Sequence, residues 1–185
     1  QISQISNVAF ITTLYVPIVG IISRFVFKSQ LHWIIWIAIL LCVYGSYLLS
    51  SNQSVEIRRS DALIFISAFC FAFHIILIDM FMKQFNSPFT YGSIQYFIVF
   101  LLSLLIAGTF ENPTFKNISI EWFEILYTGI LSAGLGYTLQ IIAQHKASPA
   151  PAAIILSMEG VFATIAGWLL INQTLDLNKL LGCVA

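Results

Sequence analysis

The sequence predicts an all-α fold, a polytopic bundle of transmembrane helices, on three observations. Of the 185 residues, 59% are hydrophobic and 9% are charged, with a mean hydropathy of +0.92. A soluble domain carries about 25% charge and uses it to cover its surface. Six apolar stretches are long enough to cross a bilayer, which takes roughly 17 to 25 residues at about 1.5 Å each. The gaps between them are short and polar, and none is long enough to separate domains, so one compact bundle is expected.

The first stretch covers residues 7–27 and carries Arg24 near its end, where the head group can snorkel to the interface. The second covers 33–49. The third, 62–81, ends near Asp79, which is spaced i,i+4 from Lys83 and can pair with it at one end of the helix. The fourth covers 91–110, the fifth 122–143 and the sixth 150–171; a seventh begins near Lys179. Trp33, Trp36, Trp122 and Trp168 sit near span ends, where an aromatic belt places them. The chain opens at Gln1 rather than Met and stops in "KLLGCVA", too short to cross a bilayer, so a longer parent protein is expected.

Charge does not orient the bundle. Alternate loops hold Arg24, Lys28, Lys83 and Lys146 on one side and Arg58, Arg59, Lys116 and Lys179 on the other, a tie under the positive-inside rule. Three Asn-x-Ser/Thr triplets, at Asn52, Asn117 and Asn172, all fall in the second set of loops. Eight basic and eight acidic residues cancel, with no basic patch, so no nucleic-acid partner is expected. Cys42, Cys70 and Cys183 lie inside apolar runs without metal or disulfide spacing and read as small packed side chains.

Polar groups at membrane depth are the candidates for function. Glu159 stands near the middle of "AAIILSMEGVFATIAGWLL". A carboxylate there costs about 3 kcal/mol on insertion scales, so it must stay protonated, face a wet cavity or pair. Around it Ala153, Ser157, Gly160, Thr164 and Gly167 recur at steps of four and three, a small-residue seam suited to close helix packing. Glu159 lies beside that seam and is expected to look onto protein or cavity. It either contacts substrate or carries a proton, or else is a structural carboxyl hydrogen-bonded to a neighbouring helix. The fifth stretch shows a similar seam of Gly129, Ala133, Gly136, Gln140 and Ala143. Gln140 on it can hold a polar substrate or glue helices together, and Tyr137 can line a pathway. His74, in the third span, belongs to the side-chain type that exchanges protons near neutral pH, and equally to the type that sits neutral in a core. Gln95 and Tyr96, early in the fourth span, are polar groups expected to face inward, and Tyr15 and Pro17 mark the first span.

A faint internal repeat links the first and sixth spans. Sliding "SNVAFITTLYVPIVGIIS" by 143 positions onto "PAPAAIILSMEGVFATIA" sets Ala9 on Ala152, Ile11 on Ile154 and Ile22 on Ile165, and further on Gln30 on Gln173. It also sets Tyr15 on Met158 and Pro17 on Gly160. Chance between two apolar helices explains this as readily as a duplicated bundle, the architecture of many secondary transporters.

The segment "GILSAGLGYTLQIIAQHKASPAPAAIILSMEGVFATIAGWLLINQTLDLNKLLGC" resembles the last three helices of the EamA family of the drug/metabolite transporter superfamily. The features are an aromatic-Leu-Gln-x-x-Ala-Gln helix end, an Ala-rich helix with a Glu before a helix breaker, and a Gly-Trp-Leu-Leu finish. "SDALIFISAFCFAFHIILIDMF" resembles the family's sixth helix and "SNVAFITTLYVPIVG" its fourth. One departure is Gly160, where the family often has Pro; Gly loosens a helix without removing a hydrogen bond, so a milder kink is expected. The resemblance implies ten helices in two inverted repeats. By that mapping residues 1–50 are the end of the first repeat and 60–185 four helices plus the start of a fifth in the second.

The resemblance further implies a secondary active transporter, an exporter of small metabolites or drugs working by alternating access and driven by protons or by exchange. Its substrate-binding groups would be drawn from Glu159, Gln140, Tyr137, His74, Gln95 and Tyr15. The implied setting is a plasma membrane, or a bacterial inner membrane. The expected partners are the lipid bilayer, a small-molecule substrate, a coupled proton and a second copy of the chain. No cofactor or metal is expected, and enzyme chemistry is not: no His-Glu-x-x-His, Gly-x-Ser-x-Gly or phosphate-binding loop is present, and His32, His74 and His145 fall in separate segments. The rival reading is a non-transporting membrane scaffold whose polar groups only lock helices.

Overall fold

The computed structural model describes residues 10–50, 59–110, 115–171 and 177–184. Ala9, Asn52, Arg58, Asn172 and Gln173 lie outside them. Among the described residues every regular element is helical. In chain order these are α1 (Tyr15–Phe25), α2 (Trp33–Ser50), α3 (Arg59–Phe85), α4 (Pro88–Phe110), α5 (Phe115–Ile120) and α6 (Trp122–Leu126). A π-helix (Tyr127–Tyr137) comes next, then α7 (Thr138–Gln144), α8 (Pro149–Ser157), α9 (Glu159–Ile171) and α10 (Leu177–Val184). Asp61–Phe85, Pro88–Phe110, Trp122–Gln144 and Pro149–Leu170 are long and apolar enough to cross a membrane, and Phe10–Phe25 and Trp33–Leu49 are shorter apolar helices. The six stretches read from the sequence are all helical, within a few residues of the expected limits.

Local chemistry sets several of the ends. After α1 the backbone of Lys28 turns left-handed at φ 51°, and Ser29 N–H reaches back to the Ser23 carbonyl at 3.0 Å. Together with the six-to-one bond from Phe27 N–H to the Ile22 carbonyl at 3.3 Å, it closes open carbonyls of the last turn. Asn86 does the same work after α3 at φ 50°, a position Asn tolerates better than most residues. Pro88 and Pro149 then open α4 and α8, where a missing N–H costs nothing.

Packing divides the chain into two compact units rather than the single bundle expected from the short loops. No linker marks the change, because it falls inside α3, between Leu77 and Ile78. The first unit holds residues 1–77 and 148–185. Its core is made of small and β-branched side chains, Val16, Val19, Ala68, Ala72, Ile75 and Ala153, closed by Tyr15 and Ile39. Here α1 packs on α8 and α2, and α10 packs on α2. The second unit, residues 78–147, centres on Ile78, Met82 and Ile141, with Phe81 and Tyr91 against them.

Large apolar side chains point outward instead. Phe110 is 85% exposed, and Phe100, Leu104 and Ile130 are more than half exposed. In water such a surface would associate at once. In lipid no hydrophobic force drives helices together, so small residues make the contacts and Leu and Phe face the acyl chains.

Candidate functional site

Two helix interruptions organise the first unit. At Leu14 (φ −60°, ψ −11°) and at Met158 (φ −63°, ψ −10°) the backbone makes the same tightened turn. Leu14 N–H bonds the Ile11 carbonyl at 3.2 Å, and Met158 N–H bonds the Ile155 carbonyl at 3.2 Å. Ile18 N–H returns to Leu14 O at 3.3 Å and Phe162 N–H to Met158 O at 3.0 Å. The causes differ. Pro17 has no N–H for the carbonyl four residues back, and its ring crowds that carbonyl; placing it in the first turn of α1 removes the conflict. In the second case Ser157 Oγ donates to its own helix, to Ile154 O at 2.6 Å, a bond of the kind that bends helices. The interruption expected at Gly160 therefore falls at Met158.

The two turns lie 144 positions apart, one more than the offset that aligned the sequences. At this offset Tyr15, rather than Val16, stands opposite Glu159: each is the first residue of the helix that resumes. Tyr15 is 4% exposed, its ring is edge-on to Phe71 with centroids 4.9 Å apart, and its hydroxyl donates to Ala153 O at 3.4 Å. Cys42 Sγ lies 3.4 Å from Ser157 Oγ.

Glu159 itself is exposed and opens α9, where the positive end of the helix favours an acid. Along the seam beside it Ala153 is buried and Ser157, Gly160, Thr164 and Gly167 are half-buried. A Cβ on Gly160 would lie 3.7 Å from Leu49 Cδ1, so this seam meets α2. Enclosure of Glu159 by protein does not follow from the seam. The carboxylate stands at its edge, and Tyr15 is the buried polar group near it. His74, half-buried, joins the same neighbourhood through Phe71, with ring centroids 5.9 Å apart.

Gln95, Tyr137 and Gln140 belong to the second unit. Gln140 is half-buried, and its Nε2 donates to Oε1 of the buried Gln144 at 3.2 Å. Gln95 is half-buried on α4, and Tyr137 ends the π-helix with more of its surface exposed. The small-residue seam expected in this span is absent. Residues 127–137 wind at i→i+5, so steps of four and three no longer share a face, and Gly129, Gly136 and Ala143 are exposed. The face turned to α4 carries Ala133, Gly134, Thr138 and Ile141 instead. There the Tyr96 hydroxyl meets Ala133 O at 2.9 Å, Thr138 Oγ1 at 3.0 Å and Gly134 O at 3.3 Å. Among the described residues, no three His, Cys, Asp or Glu side chains converge as a metal site would need.

Helices of spanning length, a lipid-type surface and polar groups gathered at helix interruptions define a polytopic integral membrane protein. The model of the EamA-like transporter family matches residues 58–185, more than half of the chain, and the chain belongs to that family. It is also similar to an uncharacterized transporter from Archaeoglobus fulgidus, 31% identical over 158 residues, which is 85% of this chain. The chain spans about half the length of that curated relative. Both likenesses are to proteins named as transporters.

Proposed function

We propose that the chain is part of a secondary active transporter that exports small metabolites or drugs across the plasma membrane by alternating access, driven by the proton gradient. Residues 1–50 would close one five-helix repeat and 60–185 would form most of the other. The observation that supports this reading is the pair Tyr15 and Glu159, a phenol and an acid, each at the first residue after a matched helix interruption. Interrupted helices are where transporters of inverted-repeat architecture bind substrate and coupling ions. Glu159 would carry the proton, Tyr15 and His74 would shape the surroundings of the carboxylate, and Gln95, Tyr137 and Gln140 would offer polar contacts to the substrate.

The test uses the full-length protein in liposomes. Candidate solutes are followed with and without a pH gradient, then again with Glu159→Gln. The expected result is gradient-driven flux that Glu159→Gln abolishes while the variant stays folded and monodisperse. Flux that ignores the gradient would favour exchange. Unfolding of Glu159→Gln in a protein with no flux would favour the scaffold reading.

A further inference from the structure

Tyr127–Tyr137 winds as a π-helix over 11 residues, whereas π turns in proteins are rare and usually single. An i→i+5 ladder this long needs something to hold it against the α winding. Two features do so. A Cβ on Gly134 would stand 3.1 Å from the carbonyl oxygen of Gly129, five residues back, so in this winding the site is tight for any side chain. From α4, Tyr96 brings its hydroxyl to the Ala133 carbonyl at 2.9 Å, with Gly134 O at 3.3 Å as a second acceptor. The same hydroxyl meets Thr138 Oγ1 at 3.0 Å, and Thr138 in turn donates to Gly134 O. A buried carbonyl displaced from the α ladder is costly unless something donates to it. Tyr96 is the donor from outside the helix.

The π winding sets the face that α7 turns to α4. Ile141 Cδ1 lies 3.6 Å from where a Cβ on Gly92 would be, and Gln140 is held to the buried Gln144. A register change of one residue turns everything beyond Tyr137 by about 100° around the helix axis. We propose that Tyr96 is a positioning residue: its hydroxyl holds Tyr127–Tyr137 in the π register and so fixes which side chains of α7 face α4. The consequence for substrate contact by Gln140 rests on the transporter reading; the register itself does not.

The experiment uses the full-length protein with Cys42, Cys70 and Cys183 replaced by Ala. Gly92→Cys is paired in turn with Gln140→Cys, Ile141→Cys and Ile142→Cys and treated with a short bifunctional thiol reagent. With Tyr96 in place, the pair at 92 and 141 should link most. Tyr96→Phe removes one hydroxyl and should cut that yield about fivefold, the shift one net hydrogen bond supports, and raise linking at 140 or 142. Gly134→Ala, which crowds the π winding and favours the α winding, should act in the same direction without touching Tyr96. If 141 remains the strongest partner at unchanged yield in both variants, the positioning role is refuted. In liposomes Tyr96→Phe should raise KM for the solute more than it lowers maximal flux, and Gln140→Ala should add nothing further. A wild type without flux overturns the transporter reading and leaves the crosslinking result standing.

Discussion

Three glycines in the first unit should respond differently to one added methyl group, and the differences come from distances. On Gly182 a Cβ would fall 2.8 Å from the Gly45 carbonyl oxygen, 2.9 Å from Leu49 Cγ and 3.1 Å from the Leu49 nitrogen. Two of those atoms are backbone and cannot rotate away. Ordinary carbon contacts begin nearer about 3.5 Å, so α10 has to move off α2 by several tenths of an ångström. Over-packing of this kind costs about 1–3 kcal/mol. Replacing Gly by Ala inside a helix returns at most about 1 kcal/mol. Gly182→Ala should therefore be the most damaging of the three, destabilising by up to about 2 kcal/mol after the full helix gain. On Gly20 the added atom meets Ile39 Cδ1 at 2.6 Å, the free end of a side chain that can change rotamer. That costs about 0.5–1.5 kcal/mol and roughly cancels the helix gain, so Gly20→Ala should be close to neutral. On Gly160 only Leu49 Cδ1 is near, at 3.7 Å, and Gly160→Ala should hold or raise stability. The assay is thermal inactivation of the full-length protein in detergent, read by fluorescence-detected size exclusion. An order other than Gly160→Ala above Gly20→Ala above Gly182→Ala would refute the packing of α1, α9 and α10 against α2.

Single contacts give three more expected outcomes. Ser23 Oγ is buried with no hydrogen-bond partner among the described residues, so Ser23→Ala should be neutral or stabilise by up to about 1 kcal/mol in the same thermal assay. The exposed pair of Lys83 Nζ and Asp79 Oδ2, at 2.7 Å, should contribute no more than about 0.5 kcal/mol, and Lys83→Met should leave the melting temperature almost unchanged. Cys70 lies on the exposed face of α3, at membrane depth. A charged maleimide should fail to label it in intact liposomes and label it once detergent replaces the lipid; labelling in both would contradict the spanning assignment of α3.

The spans were legible because length and apolar content are properties of the sequence itself. Neither depends on which residue touches which. The seam around Gly160 was legible for the same reason, since steps of four and three share a face wherever the helix is α. The matching reading of the fifth span failed because nothing in "YTGILSAGLGY" states its winding. That is set by Tyr96, well upstream on α4, together with the Gly129 and Gly134 pair. Three closely spaced glycines, at 129, 134 and 136, were the available signal of a weak α preference. The interruptions were half legible. Pro17 announces one, but Ser157, whose hydroxyl turns back on its own helix, resembles any other small residue in a seam. Pro17 and Gly160 are the helix breakers visible in the sequence, whereas the breaks sit at Leu14 and Met158.

The proposed proton coupling rests on the carboxylate of Glu159. The most direct test measures proton release when solute is added to the purified full-length protein in weakly buffered solution. The wild type should release protons and Glu159→Gln none, with solute still bound. Equal release from both proteins would place the coupled proton elsewhere and contradict the role given to Glu159.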